Sequence, residues 1–85
     1  MTEEKIGTVQ DYFAKIGVAG IQLTEGSLRV GETIHIKGHT TDFQQVVDSM
    51  QIERESVQEA GPGQVIGVKV KDRVRQHDIV YKVVE

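Results

Sequence analysis

A chain of 85 residues, with 38% hydrophobic and 27% charged residues, has the size and composition of one ordinary globular domain. The absence of cysteine excludes disulfides and thiolate metal sites. The charged start MTEEK lacks the apolar core of a secretory signal, and no apolar run is long enough to cross a bilayer. We therefore expect one cytoplasmic domain over residues 1–85, without a membrane partner. The net charge of −3 excludes a uniformly basic nucleic-acid binder, so any RNA contact would need a local basic patch.

Alternation of polar and apolar residues dominates the chain, as in residues 33–37 (TIHIK) and 67–71 (GVKVK). This period of two is typical of half-buried strands. Glycine, proline and polar clusters separate the apolar segments at intervals typical of a sandwich or barrel. The pattern predicts six strands, at about 5–13, 18–24, 33–37, 42–51, 64–70 and 79–84. Residues 51–60 contain the nearest candidate for a helix, but the turn GPG at 61–63 ends it, so we expect a turn there.

Six short strands with no helix to cover them bury their apolar faces best by closing on themselves, which also removes exposed sheet edges. The fold expected is therefore an all-β, small, closed, six-stranded Greek-key barrel. Twelve apolar residues are the predicted core: Val9, Ile21, Leu23, Leu28, Val30, Ile34, Ile36, Val47, Ile66, Val68, Val70 and Val80.

Residues 26–33 (GSLRVGET) nearly match the phosphate-binding loop of nucleotide-binding proteins. Glu32 stands where that loop needs a lysine, and its carboxylate would repel the phosphates. The loop also requires a helix after it, whereas strands flank this segment on both sides. We expect no nucleotide binding here.

The histidines do not form a recognisable catalytic or metal-binding pattern. His35 and His39 fall on a strand and the following turn, with no third ligand at a suitable spacing for zinc. His77 and Asp78 resemble a base with its orienting acid, but they lie in a turn, where aspartate commonly bonds its own backbone. No serine lies in a nucleophile elbow. The prediction is a protein that is not an enzyme, without metal or cofactor.

Four segments, in order along the chain, resemble the second, β-barrel domain of translational GTPases such as elongation factor Tu. Residues 7–9 (GTV) and 26–38 (GSLRVGETIHIKG) are similar to its first hairpin. Residues 60–68 (AGPGQVIGV) are similar to a later hairpin, and 74–80 to its closing segment. The resemblance implies the translation-factor type of barrel. Gln64 and Val65 replace the acid and asparagine that help that family hold the aminoacyl end of tRNA.

The chain also resembles the C-terminal barrel of collagenase-like peptidase-family proteins. Residues 60–64 (AGPGQ), 78–82 (DIVYK) and the Asp42-Phe43 pair carry this likeness. Some members of that family are linked to tRNA modification, so both resemblances touch RNA biology.

The function that these resemblances imply is a free-standing, translation-factor-like binding module for RNA or the translation machinery. Phosphate contacts would come from basic side chains, and such binding weakens with salt. The candidate RNA-binding residues are Lys37, Arg54, Lys69, Lys71, Arg73 and Arg75. The alternative is a protein-interaction module that binds a partner or itself, which the acidic net charge favours. A small-molecule site in the barrel mouth is a third reading.

Overall fold

The computed structural model describes residues 2–84, and every regular element in that range is a strand. Within those residues there is no helix that is long and apolar enough to cross a bilayer. The ten strands are β1 (Thr2–Phe13), β2 (Val18–Leu23), β3 (Leu28–Arg29), β4 (Thr33–Lys37), β5 (Asp42–Val46), β6 (Met50–Ile52), β7 (Glu55–Val57), β8 (Glu59–Ala60), β9 (Val65–Lys69) and β10 (Ile79–Val84). The all-β prediction is confirmed.

Eight of the strands form one antiparallel sheet, in the order β5-β4-β10-β1-β2-β9-β6-β7. The short strands β3 and β8 pair separately, with Leu28 opposite Ala60. The sheet ends at β5 and β7, which are not hydrogen-bonded to each other. The six-stranded count is therefore replaced by ten strands, and hydrogen bonds do not close the sheet into a barrel.

The strand predicted at 42–51 is divided in the structure, because the chain changes neighbours at Val47. The Val47 N–H donates to the Glu32 carbonyl at 2.9 Å, and the Val47 carbonyl accepts from the Gly31 N–H at 2.8 Å. Val47 is also fully buried, which fixes the chain at that point. Pairing resumes at Met50, which lies opposite Val68 of β9.

The hairpin of β6 and β7 was missed because its turn has no glycine or asparagine. Ile52 pairs with Glu55, and the two residues between them have positive φ, 50° at Glu53 and 69° at Arg54. Such two-residue turns normally carry Asn-Gly or Asp-Gly, so Glu-Arg gave no turn signal.

The core lies on the inner face of the curved sheet, and its prediction is confirmed except at Val30, which is only partly buried against the core. The alternation of strand side chains accounts for this success, since one face must be apolar. Five buried hydrophobic residues were not predicted: Ile6, Ala19, Met50, Ala60 and Val74.

Candidate functional site

The six predicted RNA-binding residues are all exposed, but they do not share one surface. Lys69 and Lys71 line one groove, Arg73 lines a second groove that continues along the same gap, and Arg54 lines a separate third groove. Lys37 ends β4, opposite Ile79 and Asp42, and Arg75 lies in the turn before Asp78. Their surroundings are mixed in charge, because Asp48, Asp72 and Glu53 line the same three grooves.

The most unusual feature of the fold is the gap between the edge strand β5 and the end of β9 with the segment that follows it. We call this gap the seam, defined by β5 on one side and residues 69–73 on the other. The side-chain amide of Gln45 bridges it. Its Nε2 donates to the Lys69 carbonyl at 2.8 Å, and its Oε1 accepts from the Lys71 N–H at 2.8 Å.

The hydrogen-bonding phase of β5 shows which backbone groups face the seam. The Val47 N–H donates to Glu32, and the Gly38 N–H donates to the Thr41 carbonyl at 2.7 Å. Bonded and non-bonded positions alternate along an antiparallel strand. Thr41, Phe43, Gln45 and Val47 therefore turn their N–H and C=O groups toward β4. The intervening residues of β5, which are Asp42, Gln44 and Val46, direct theirs away from β4.

The opposite wall of the seam has the same alternation. The Val70 N–H donates to the Gly17 carbonyl at 2.9 Å, on the side of β2. The neighbouring Lys69 and Lys71 therefore direct backbone groups the other way, and these are the groups that the Gln45 amide meets. One side-chain amide thus occupies the position that a peptide group would take in a continuous sheet.

The main groove of the seam has a volume of about 470 Å³ and a largely apolar lining. Its walls contain Val46, which is 50% exposed, and the buried Val70. Lys69 and Lys71 contribute two positive charges to its rim and Asp48 one negative charge. A second groove of about 190 Å³ continues along the same gap, between Asp42 and Arg73.

His35 is held between two carboxylates beside the seam. Its Nδ1 lies 2.7 Å from Glu3 Oε2 and its Nε2 lies 2.5 Å from Asp42 Oδ1. Ionised carboxylates only accept hydrogen bonds, so the ring can donate to both of them only in its protonated, imidazolium form. The Asp42 hydrogen bond, aided by Glu3, raises the pKa of His35 above its usual value, while partial burial opposes this. The same hydrogen bond lowers the pKa of Asp42.

This cluster ties three strands of the sheet together. Glu3 is in β1, His35 in β4 and Asp42 in β5, and β10 runs between β4 and β1. The His35 side chain is only 12% exposed, with the Tyr81 ring 6.3 Å away. Each carboxylate takes a different ring nitrogen, so the three groups do not share one point that a metal could occupy, and residues 2–84 contain no cluster suited to a metal ion.

A second surface lies on the outer face of β1, β2, β9 and β6. Gly20 and Gly67 are directly opposite each other, so neither residue places a side chain on this part of the face. Phe13 and Val65, which are 52% and 44% exposed, line the same groove of about 220 Å³. Ile16, in the neighbouring turn, is 62% exposed. Glycines inside strands often mark places where another backbone approaches closely.

The turn that contains His77 and Asp78 makes contacts that stabilise the fold. The Asp78 Oδ2 accepts from the Arg75 N–H at 2.8 Å, and Asp78 is buried. The His77 N–H donates to the Val9 carbonyl, and His77 has a φ of 78°. Gly38 packs directly on the Asp78 carboxylate, where a Cβ would collide with Oδ1.

Sequence reasoning missed Gln45 and the seam. Gln45 is separated by 24 and 26 residues from its two partners, and both partners are backbone groups. Backbone groups carry no residue-type signal, so no motif could have revealed this contact.

Comparison with known proteins identifies relatives of nearly the whole chain. It is 42% identical over 78 residues to an uncharacterised protease of Methanocaldococcus jannaschii and 36% identical over 78 residues to a collagenase of Porphyromonas gingivalis. Each match covers 91% of this chain, but only 19% and 22% of the relative. The chain therefore spans about a fifth of the length of these curated relatives. No protein-family model matches it.

The structural comparison locates the matching domain. The C-terminal domain of a Geobacillus thermoleovorans protein described as a U32 peptidase superposes with a TM-score of 0.88 and 25% sequence identity. The match covers 95% of this chain and 93% of that domain. The homologues are C-terminal domains of the U32 peptidase and collagenase type. The resemblance to collagenase-like peptidase-family proteins is thereby confirmed.

The translation-factor interpretation is wrong. The relatives are a protease, collagenases and a U32 peptidase domain, and they give no support for similarity to elongation factor Tu. The function inferred from that similarity, an RNA-binding module of the translation machinery, falls with it. The similarity was based on the glycine hairpins at residues 26–31 and 61–63. These glycines supply turn geometry, which unrelated folds also need, so they do not by themselves indicate a shared function. RNA contact by the six basic residues is not tested by these comparisons and stays a prediction, of which the structure shows the exposure of the six side chains.

The prediction that the chain is not an enzyme is also contradicted at the level of the family. The curated relatives are named protease and collagenase, which indicates a peptidase family, and the matching part is a C-terminal domain. The sequence prediction considered catalytic motifs within 85 residues, whereas these relatives are between four and five times as long. The cytoplasmic location stays a prediction.

Proposed function

We propose that this chain is the polypeptide-binding C-terminal domain of a peptidase of the U32 type. The observation that carries the proposal is the 36% to 42% identity to a collagenase and a protease over 91% of the chain. The seam supports it, because this groove is largely apolar and flanked by backbone groups that could pair with a peptide. The sheet would act as an open barrel whose gap receives the substrate.

The experiment is a binding titration with immobilised gelatin, unfolded casein and native triple-helical collagen. We expect saturable binding of the 85-residue chain to the two unfolded polypeptides at micromolar concentration. Triple-helical collagen should bind more weakly, because its backbone groups are less accessible. Absence of binding to all three at high micromolar protein would refute the proposal.

The same samples can be analysed by mass spectrometry for cleavage. Specific cleavage products would place peptidase chemistry within this chain. Binding without products would place that chemistry in the larger part of the relatives.

A second candidate function, docking on a larger peptidase body, is favoured by the outer face around Gly20 and Gly67. Two large apolar side chains, Phe13 and Val65, are exposed in that groove, and Ile16 is exposed in the neighbouring turn; such groupings mark interaction sites. The test is co-purification with a U32 peptidase from which the homologous segment has been removed. Phe13→Ser should weaken the complex at least about tenfold, which corresponds to 1.4 kcal/mol. Lys15→Ser, in the same turn, should leave it unchanged.

A further inference from the structure

The seam supports an inference about how polypeptide is held, which rests on the proposed function. We propose that an extended peptide adds to the sheet in the seam, pairing with the free edge of β5 and replacing the Gln45 amide at Lys69 and Lys71. Gln45 would then be an internal substitute for the peptide group of the missing strand.

The free edge of β5 is the first argument. Asp42, Gln44 and Val46 turn their backbone groups away from β4, and none of them bonds to another backbone group within residues 2–84. Proteins usually protect such edges with lysine, proline or a bulge. The sequence of β5, DFQQV, contains neither lysine nor proline, and its pairing with β4 is regular over five residues. An unprotected regular edge is suited to strand addition.

The geometry of the Gln45 contact is the second argument. The amide takes the C=O of Lys69 and the N–H of Lys71, the two groups that flank Val70. In a pair of parallel strands, the N–H and C=O of one residue bond to the two residues that flank its partner on the other strand. The Gln45 amide bonds in the same way to the two residues that flank Val70, so its contacts match parallel pairing. A bound peptide residue could make the same two bonds with its own N–H and C=O.

The orientation of the peptide follows from this geometry. Gln45 lies beside Lys69 and Lys71, whereas Asp42 and Phe43 share the second groove with Asp72 and Arg73. The two walls therefore run in opposite directions. A peptide parallel to residues 69–71 must be antiparallel to β5, so its N-terminal end lies near Val46 and its C-terminal end near Asp42.

The chemistry of the groove selects the side chains of the peptide. Successive strand residues point to opposite faces. Side chains on the outer face would lie between Val46 and the exposed Lys69 and Lys71. The two lysines outnumber the single Asp48 on this rim, so acidic residues near the peptide N-terminus are favoured. Side chains on the inner face would meet Val70 and Phe43, which favours apolar residues. The preferred ligand is an extended segment that alternates acidic and apolar residues in its N-terminal half.

The probe is a fluorescein-labelled peptide of sequence EVEVTVT, titrated with the intact chain by fluorescence anisotropy. A peptide with lysine in place of both glutamates is the charge control, and one with a central proline is the backbone control. We expect EVEVTVT to bind at least about tenfold more tightly than either control, a difference of 1.4 kcal/mol.

Two variants of one residue separate backbone pairing from apolar contact. Val46→Pro removes an N–H that points away from β4, so the fold should tolerate it as an edge-strand proline. It should weaken peptide binding at least about tenfold. Val46→Thr retains the N–H and the branched shape, and should bind within about threefold of the wild-type chain. Thermal unfolding of each variant verifies that both are folded.

Gln45→Ala tests directly whether the Gln45 amide takes the place of a peptide group of the bound strand. Removal of the competing amide frees Lys69 and Lys71, so the peptide should bind about fivefold more tightly, as expected for one net hydrogen bond. Equal or weaker binding in a folded Gln45→Ala variant would overturn the claim that this amide is displaced.

The orientation can be measured because the chain has no cysteine. A fluorophore on Ser49→Cys should be quenched by a quencher at the peptide N-terminus, and one on Thr40→Cys by a quencher at the C-terminus. The reverse pattern would overturn the orientation.

The outcomes distinguish the inference from the function on which it rests. Binding of gelatin and peptide that is unaffected by Val46→Pro would overturn strand addition and leave polypeptide binding in place. Absence of all binding would overturn both. Concentration-dependent dimerisation that Val46→Pro abolishes, without peptide binding, would show that a second copy occupies the edge.

Discussion

Two regions of the main sheet are stabilised in different ways: the centre, formed by β10, β1, β2 and β9, and the seam beside β5. Each central strand is paired on both sides by backbone hydrogen bonds, and their inner faces supply Ile6, Val9, Ile21, Ile66 and Val80 to the core. The seam is bridged by one glutamine side chain, between walls where Val46 is half exposed.

The difference shows how a small domain can combine a rigid body with an adaptable edge. The energy of opening varies within one structure, and regions with few buried apolar contacts open most easily. Removing a central residue should therefore destabilise the whole sheet, whereas changes at the seam should act locally.

The largest effect is expected from Ile21→Ala in the centre. Ile21 is fully buried and lies between Val9 and Ile66 on the neighbouring strands. Its truncation should lower the free energy of unfolding by about 4 kcal/mol, through lost burial and the cavity left behind. Val46→Ala, at the seam, should cost less than about 0.5 kcal/mol. Urea unfolding measures both, and similar losses would contradict the proposed contrast.

Gly7→Ala should also destabilise the centre, by about 3 kcal/mol. Gly7 pairs with Leu23 and Val80 at a bulge of β1, and an added Cβ would collide with the Gln22 backbone carbonyl. A backbone atom within a paired strand cannot easily move away. Gly20→Ala is the matched control, because its Cβ would lie at an ordinary 3.5 Å from the nearest atom, on Asp11. A control that loses as much stability would show that glycine flexibility matters more than the collision.

The His35 cluster links β5 to the centre, and its contribution should depend on pH. Because the pKa of His35 is raised in the folded protein, its contribution to the free energy of unfolding is complete below the pKa of the unfolded chain, about 6.5. This contribution is lost as the pH rises through the pKa of the folded protein. The lowered pKa of Asp42 gives stability that is present above about 3.8 and is lost as pH falls through its folded value. The cluster should therefore stabilise most between about pH 4 and 6.5.

Unfolding midpoints of the wild-type chain and His35→Asn, measured from pH 4 to 9, check this dependence. The difference between them should be largest near pH 5 and should shrink above the folded pKa of His35. His39→Asn is the control, because His39 is exposed in a turn. A pH-independent difference would show that His35 acts by packing alone.

A small effect on stability is expected from Gln45→Ala, about 1 kcal/mol, because the two lost hydrogen bonds are exposed and water can replace them. Hydrogen exchange gives the sharper measurement. The Lys71 amide should exchange faster in the variant, while the Val70 amide, bonded to Gly17, should not change. Equal acceleration at both would mean that the segment opens as a unit.

The sequence by itself determined the all-β class, most strand positions and most of the core, because side-chain alternation is a local consequence of burying one face of a strand. It also indicated the peptidase-type relatives through residues 60–64 and 78–82. Only the tertiary structure decided the division at Val47, the Glu53-Arg54 hairpin turn and the seam. The division at Val47 and the seam depend on backbone groups that meet across distant parts of the chain, and such groups are the same in every residue type. The hairpin turn is local, but Glu-Arg is not a residue pair that predicts it.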